Sequence, residues 1–371
     1  MKQIFIVDYL GVHCGMHYYN DAFKGVLSTL SSLSANDKVS ILSNYSENGK
    51  TSFFFNFYRM NKFIGVILLT CNYIKLYFKV ISNKKACFIY LTYGNSIDIP
   101  FLWIISRAQK HIIDIHEAIG QDVDTNLRLK RCFKNIYSSK IKSVITHSQR
   151  TNNFLDEYNF QGLRLFVPHF KYCFKKTYNK NQVKENIQAS IKKDKINILF
   201  FGNINHNKGI DILIQAINEL SKQETEKLNI IIAGKDFDGT IHKVHPIYSE
   251  SFHIFLRHIN DDELVFLYKN TDYVVLPYRK TSQSGILEMA FYFKKPIIAS
   301  NIPYFSMMLS KFKSFGILTD LDIPSFTNTF SQIIQTHINY TNYYIETEYS
   351  SYTNRQEIKI FTENFSKWIN E

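Results

Sequence analysis

The sequence is sparing with cysteine, proline, glycine and acidic residues, and each scarcity excludes something. The five cysteines, Cys14, Cys71, Cys87, Cys132 and Cys173, are odd in number and never stand in Cys-x-x-Cys spacing. Neither a disulfide framework nor a zinc ribbon is expected from that pattern, and a reducing cytosol is the expected setting. Seven prolines and 14 glycines exclude a collagen-like or linker-dominated chain. Acidic residues number 32 against 44 basic ones, a formal charge of +12. Such a balance suits nucleic acid, an anionic membrane or a phosphorylated ligand, and charge alone does not choose. An uninterrupted apolar run of about 18 residues is missing, so no clear membrane span is expected. The first apolar run, Ile4–Val7, is cut by Asp8 and does not read as a signal peptide.

What is present is apolar and aromatic. Hydrophobic residues make up 45% of 371 positions, with 24 Tyr and 31 Phe, enough to fill two folded domains. Strand-like runs recur at Lys2–Leu10, Val39–Leu42, Cys87–Leu91, His111–Ile115 and Val144–Thr146, with helical patterns between several of them. After Val167-Pro168-His169-Phe170 comes a lysine-rich stretch, and then the alternation restarts at Ile196–Phe201. Runs at Leu228–Ala233, His253–Leu256, Tyr273–Leu276 and Pro296–Ser300 continue it. Such alternation predicts βαβ units and parallel sheets. The expected organisation is a first domain over 1–172, a linker over 173–195 and a second domain over 196–353. A helical pattern over 354–371 is expected to cross back onto the first domain.

One long segment, Phe53–Val80, is apolar but interrupted by Arg59, Lys62, Lys75 and Lys79. It reads either as amphipathic helices of the fold or as a membrane-surface patch, where aromatics beside Lys and Arg suit the headgroup zone.

Three loops have the composition of a ligand site. Gly202-Asn203-Ile204-Asn205-His206-Asn207-Lys208-Gly209 lies between a strand and a helix. Its glycines allow close backbone approach, the helix start favours an anion, and Lys208 adds a cation, which suits a diphosphate. It is neither a Walker A loop nor G-x-G-x-x-G, and a plain strand–helix turn is the bland alternative. Pro277–Glu288 again leaves a strand and enters a helix. It offers Thr281, Ser282, Gln283, Ser284 and Gly285 at the helix start, with Arg279 and Lys280 beside them. An N-capping cluster would look the same. In the first half, His116 follows the strand Ile112–Ile115, where a side chain meets an open strand end. His13 and His17 flank Gly15 in the first strand–helix loop and are candidates for acceptor contacts. His242, His245, His253 and His258 lack ligand spacing, and no metal site is expected from them.

Taken together, FFGNINHNKGIDILIQA, LNIIIAG, HIFLRHINDDELVFLYKNTDYVVLPY and SQSGILEMAFYFKKPIIAS resemble, in order and spacing, the donor domain of the GT-B glycosyltransferases of family 4, group 1. The first half is similar more loosely, through the Gly11/Gly15 loop, IIDIHE and VITHSQRTNNFL leading to VPHF. The resemblance implies an α/β fold of two Rossmann-like domains facing a central cleft. It implies a retaining, metal-independent transfer of a sugar from a nucleotide-diphosphate sugar, with no cofactor. Lys208 falls on the phosphate-binding lysine, Gly202 on the glycine of the first donor loop and His116 on the strand-end histidine near the transferred sugar. The implied donor-binding set is Gly202, Asn203, Lys208, Gly209, Gly234, Ile259, Arg279, Lys280, Thr281, Ser282, Ser284, Gly285, Ile286 and Glu288. His116 and Lys208 are the implied catalytic pair.

The sequence departs from the family in three places. Asn203 stands where an arginine is frequent. Arg257 replaces a glycine before the base-contacting loop. Thr281 and Met289 occupy the two positions of the Glu-x7-Glu motif, with Glu288 one residue off, about 100° around a helix. Arg279 and Lys280 are expected to supply the charge that Asn203 lacks. The partners expected are a nucleotide sugar, a saccharide or lipid-linked acceptor and an anionic membrane surface, without nucleic acid. The setting expected is cytoplasmic, peripheral on the inner membrane, in O-antigen or capsule polysaccharide synthesis. A non-catalytic partner subunit, a sugar-nucleotide epimerase and a basic nucleic-acid-binding protein remain as alternative readings.

Overall fold

A computed structural model of the chain describes residues 2–30, 37–45, 52–117, 124–172, 174, 177–281, 283–336 and 343–371, with the side chains of residues 13, 14 and 59 left out. The chain divides into two compact units, Met1–Tyr172 with Arg355–Glu371, and Cys173–Asn354.

The first unit is built on six parallel strands: β1 (Gln3–Asp8), β2 (Lys38–Ser43), β3 (Cys87–Thr92), β4 (Lys110–Ile115), β5 (Ser143–Thr146) and β6 (Leu163–Phe166). Their order is β2-β1-β3-β4-β5-β6. β3 is buried along its whole length, as expected where helices cover both faces of a parallel sheet. Three helices matter below: α1 (Met16–Ser28), α2 (Lys62–Ser82) and α3 (Asp98–Ile105). The C-terminal helix Gln356–Asn370 belongs to this unit. It buries Phe361, Phe365 and Trp368, and the Trp368 indole N–H donates to Ser143 Oγ at 2.9 Å.

The second unit repeats the plan with β7 (Ile196–Phe201), β8 (Leu228–Ala233), β9 (Phe252–Phe255), β10 (Tyr273–Leu276), β11 (Ile297–Ser300) and β12 (Gly316–Thr319). The order β12-β11-β10-β7-β8-β9 places β7, the first strand in sequence, in the interior. The chain winds outward to β8 and β9 on one side, then to β10, β11 and β12 on the other. The strand order therefore reverses at β7, and the crevice outside the carboxyl ends of β7 and its neighbours is where open α/β sheets bind ligands. The lysine-rich stretch expected as a linker lies within this unit: Val183 and Ile187 are buried, and Asn260 Nδ2 donates to the Gln182 carbonyl.

Candidate functional site

In the second unit, the loops after β7, β8 and β10 interlock. Gly202 N–H donates to Ala233 O at 3.0 Å, and Ile204 N–H to Lys235 O at 2.8 Å, which ties the β7 loop to the β8 end. Arg279 N–H donates to Asn207 O at 2.8 Å, and Asn207 Nδ2 to Lys280 O at 2.9 Å, which ties it to the β10 loop. The approach is so close that side chains are excluded. A Cβ on Gly209 would fall on the Pro277 carbonyl oxygen, and one on Gly234 would fall on the Gly202 carbonyl oxygen. Gly209 also has φ +67°, a conformation glycine adopts without strain.

The predicted donor residues sort themselves on this frame. Lys208 is half-buried, with Nζ 3.7 Å from the centre of the Tyr278 ring, so a cation–π contact holds it across to the β10 loop. Ser284 caps the helix Gly285–Tyr292, its hydroxyl accepting from Leu287 N–H at 3.3 Å. That helix start, with Gly285 and Ile286, opens beside Gly202, whose missing Cβ would sit 3.1 Å from Ile286 Cδ1. Asn203 and Lys280 are exposed. Thr281 bonds the Gln283 carbonyl, and Ser282 lies outside the described residues. Ile259 is buried in the loop after β9, while Arg257 from the same loop makes a two-pronged pair with Glu263 at 2.7 and 2.8 Å.

Two of the predicted donor residues are engaged with other side chains. Arg279 does not hold its charge in reserve for a ligand. It makes a two-pronged pair with Asp211, NH1 to Oδ1 at 2.9 Å and NH2 to Oδ2 at 2.6 Å, and also bonds the His206 carbonyl. The pair holds the Asp211 carboxyl below its ordinary range, against the opposing effect of partial burial. Glu288 is not turned to the loops as a donor contact. Its carboxylate is fully buried and accepts from the Tyr352 hydroxyl at 2.7 Å, so the one carboxylate near the altered motif is tied into the core.

The first unit has its own cluster, centred on Asp114 in β4. Tyr19 of α1 donates to Asp114 Oδ2 at 2.7 Å, His147 Nε2 lies 2.6 Å from Oδ1, and His116 Nε2 lies 3.4 Å from the same oxygen. All four groups are buried. The other His147 nitrogen, Nδ1, faces the Val167 carbonyl at 2.8 Å. Both His147 ring nitrogens therefore face oxygen atoms, one on a carboxylate and one on the backbone. Burial raises the Asp114 pKa, but the facing imidazoles and the Tyr19 hydroxyl overcome it and the carboxyl lies below its ordinary range. His116 goes the other way. Burial, with the neighbouring His147 and His169, outweighs the pull of Asp114 and holds its pKa down to about 3. At neutral pH its ring is uncharged.

One donor atom from each of Asp114, His116 and His147 lies within 4.8 Å of the others, a spacing able to hold a small cation. The 2.6 Å approach of His147 to Asp114 is that of a direct hydrogen bond, with no room for an ion between those two atoms.

The acceptor candidates lie in the same unit. Gly15 takes φ +69° at the start of α1, and His17 is half-buried against Tyr18, ring centres 3.9 Å apart. The His13 side chain lies outside the described residues. Helix α1 then carries Tyr19 to 4.3 Å from the His116 ring. Asp8, buried at the end of β1, shapes the loop. It accepts from Leu10 and Gly11 N–H at 2.9 and 3.0 Å, and from Tyr93 and Asn20 at 2.6 and 2.7 Å.

Residues 182–342 match the family described as glycosyl transferases group 1. That match lies within the second unit, and the two units have the GT-B fold. HepE from Anabaena, solved with UDP and glucose, superposes with a TM-score of 0.66 at 13% identity, covering 99% of both chains. WaaG, a glycosyltransferase involved in lipopolysaccharide biosynthesis, gives the same TM-score, identity and coverage. Sucrose-phosphate synthase from Thermosynechococcus elongatus gives 0.65 at 12% identity, covering 100% of this chain and 94% of its own. At these identities the likeness is one of fold. No curated protein matches the chain by sequence.

The interlocked β7, β8 and β10 loops thus lie inside the segment that matches the family. The Asp114 cluster lies outside it, in the first unit. Sequence reasoning picked out His116 but not Tyr19, Asp114 and His147. The available signal was the apolar strand ending Asp-x-His and the motif Thr-His-Ser after β5.

Proposed function

We propose that the protein transfers a sugar, with retention of configuration and without a metal ion, from a nucleotide-diphosphate donor to a hydroxyl of a saccharide acceptor. The single observation that carries this reading is the junction of the β7, β8 and β10 loops at the point where strand order reverses, with Lys208 fixed there. The donor diphosphate sits against these loops. Lys208 and the N–H groups at Ser284–Gly285 stabilise charge as the diphosphate leaves. The anomeric carbon becomes oxocarbenium-like as its bond to the diphosphate oxygen breaks, and the acceptor hydroxyl attacks from that same face, giving its proton to the departing phosphate. Neutral His116 offers a hydrogen bond to the sugar rather than a counter-charge. The acceptor is lipid-linked, and the work is done on the cytoplasmic face of a bacterial inner membrane in surface-polysaccharide synthesis. A uridine diphosphate sugar is the first donor to test, because the similar HepE was solved with UDP-glucose.

The test is a thermal-shift panel of nucleotide sugars without added metal, followed by product analysis with Lys208→Ala. A ligand at 100 times its dissociation constant adds about 2.7 kcal/mol of stability. Lys208→Ala should cost about 2–4 kcal/mol of transition-state stabilisation, by analogy with loss of one oxyanion donor. Full turnover in that variant refutes the role of Lys208. A second reading, a non-catalytic partner subunit, has one observation in its favour: Thr281 and Met289 stand at the two glutamate positions, and Glu288 is bonded inward to Tyr352. Selective nucleotide-sugar binding with no transfer to any acceptor would favour it.

A further inference from the structure

Helix α2 is apolar on two faces, and the fold uses one of them. Gly65, Asn72, Leu76 and Val80 are buried. Leu76 and Val80 join the first unit's core, and Asn72 bonds both the N–H and the carbonyl of Phe55, at 2.8 and 3.0 Å. The opposite stripe follows helical spacing at Phe63, Ile67, Thr70, Ile74 and Phe78, with Val66 alongside. It faces solvent: Phe63 is 77% exposed, Val66 59% and Phe78 58%. Trp103 of α3, which packs against α2, is also exposed, with the Arg107 guanidinium 3.9 Å from its ring centre. A surface helix of a water-soluble domain normally turns a polar face outward. This one turns out Phe, Ile and Val.

The charge around the stripe is of one sign. Between Glu47 and Asp98 the sequence has no acidic residue, but it has Lys50, Arg59, Lys62, Lys75, Lys79, Lys84 and Lys85. Lys62, Lys84 and Lys85 are exposed near the two ends of α2. Lys75 lies over the Phe55 ring at 4.4 Å, an ammonium on an aromatic face at the rim of the patch.

We propose that α2 is an interfacial membrane anchor. It lies in the plane of an anionic bilayer with Phe63, Ile67, Ile74 and Phe78 among the acyl chain ends and the lysines at the phosphates. The geometry favours lying over spanning. Among the described residues α2 alone is long and apolar enough to cross, but its inner face is locked into the core through Leu76, Val80 and Asn72. Crossing would tear that core open and leave Asn72 in hydrocarbon. Charge favours lipid over a second copy of the chain. A two-fold pairing of this face would set one wholly basic segment against another. Partition of exposed apolar side chains combined with basic residues at anionic headgroups is the balance of an amphipathic surface helix. This inference does not rest on the sugar-transfer reading, and its test does not use activity.

The experiment is vesicle flotation of the full chain with phosphatidylcholine alone and with phosphatidylcholine containing about a third phosphatidylglycerol. Two triple variants go alongside, I67S/I74S/F78S and K62Q/K84Q/K85Q, all at exposed positions, with circular dichroism and sedimentation velocity for each. The wild type should float with the anionic vesicles. The apolar triple should lose at least about tenfold in partition on them. The lysine triple should lose on the order of a hundredfold at low salt, at about 1 kcal/mol per lysine. Wild type left in the lower fractions with both vesicles overturns the proposal. So does equal flotation with neutral vesicles, or a wild-type dimer that dissociates in the apolar triple without lipid. Extraction only by detergent, not by high salt or alkaline wash, would mean a spanning helix and also overturns it.

Discussion

Lowering the pH from neutrality should weaken the first unit through His116, and comparison with His116→Gln isolates the effect. An imidazole in an unfolded chain titrates near 6.5. Burial, reinforced by His147 and His169, holds this one at about 3. The unfolded chain therefore takes up a proton that the folded chain refuses. The stability His116 contributes is fully present above about pH 6.5. It is lost at about 1.4 kcal/mol per pH unit on the way down towards about 3. From pH 6.5 to 5 that is about 2 kcal/mol. Asp98 acts in the opposite sense. Burial lifts its carboxyl to about 6, against hydrogen bonds from Tyr90 and the Tyr93 and Asn95 amides. Its contribution is full below about pH 4 and is lost as pH rises through about 6, in all about 3 kcal/mol. In the wild type the two slopes oppose each other between about pH 4 and 6. Urea unfolding of wild type, His116→Gln and Asp98→Asn, in steps from about pH 7.5 to 4.5, separates them. The difference between wild type and His116→Gln should shrink by about 2 kcal/mol between pH 6.5 and 5. Parallel profiles for those two proteins would refute the claim that the buried ring stays neutral.

Two further outcomes follow from the second unit. Arg279→Ala should cost about 1–2 kcal/mol through loss of the partly exposed two-pronged pair, and a double-mutant cycle with Asp211→Asn should return about 1 kcal/mol of coupling by thermal denaturation. Zero coupling would return Arg279 to the ligand-facing role expected from sequence. Tyr352→Phe removes a donor from the buried Glu288 carboxylate and should cost about 1–3 kcal/mol of stability while leaving nucleotide-sugar affinity unchanged by titration calorimetry. A weakened affinity with unchanged stability would restore Glu288 to the donor site.

The sheets were legible where strands are interior. β8, Leu-Asn-Ile-Ile-Ile-Ala, and β10, Tyr-Val-Val-Leu, are buried end to end and read as apolar runs bounded by loops. The strands that escaped notice are β6 and β12, both four residues long and both at sheet edges. β6 reads Leu-Arg-Leu-Phe with only Leu165 buried, and β12 starts on a glycine. A strand paired on one side needs less burial and leaves a fainter pattern. Helix α2 reads poorly for the opposite reason. Apolar residues on both faces erase the periodicity by which a surface helix is recognised.

The site was legible only as far as local pattern extends. Glycines and a lysine between a strand and a helix mark a phosphate-type loop because the geometry is contained in nine consecutive residues, Phe201–Gly209. What local pattern does not show is a partner far along the chain. Arg279 is matched by Asp211, 68 residues away, and Glu288 by Tyr352, 64 residues away. Either side chain, read alone beside a helix start, looks free for a ligand. His116 shows the same limit with a chemical consequence. Its place at the end of β4 was readable, but its charge state was not, because that is set by burial and by His147 and His169, which the fold brings in from further along the chain. A buried neutral imidazole is a hydrogen-bond partner and not a counter-ion. On the transferase reading, stabilisation of the departing diphosphate is then left to the second unit, to Lys208 on Tyr278 and the amide groups at the start of Gly285–Tyr292. On that same reading the first unit contributes the neutral His116 ring, and holding the anion falls to the second unit.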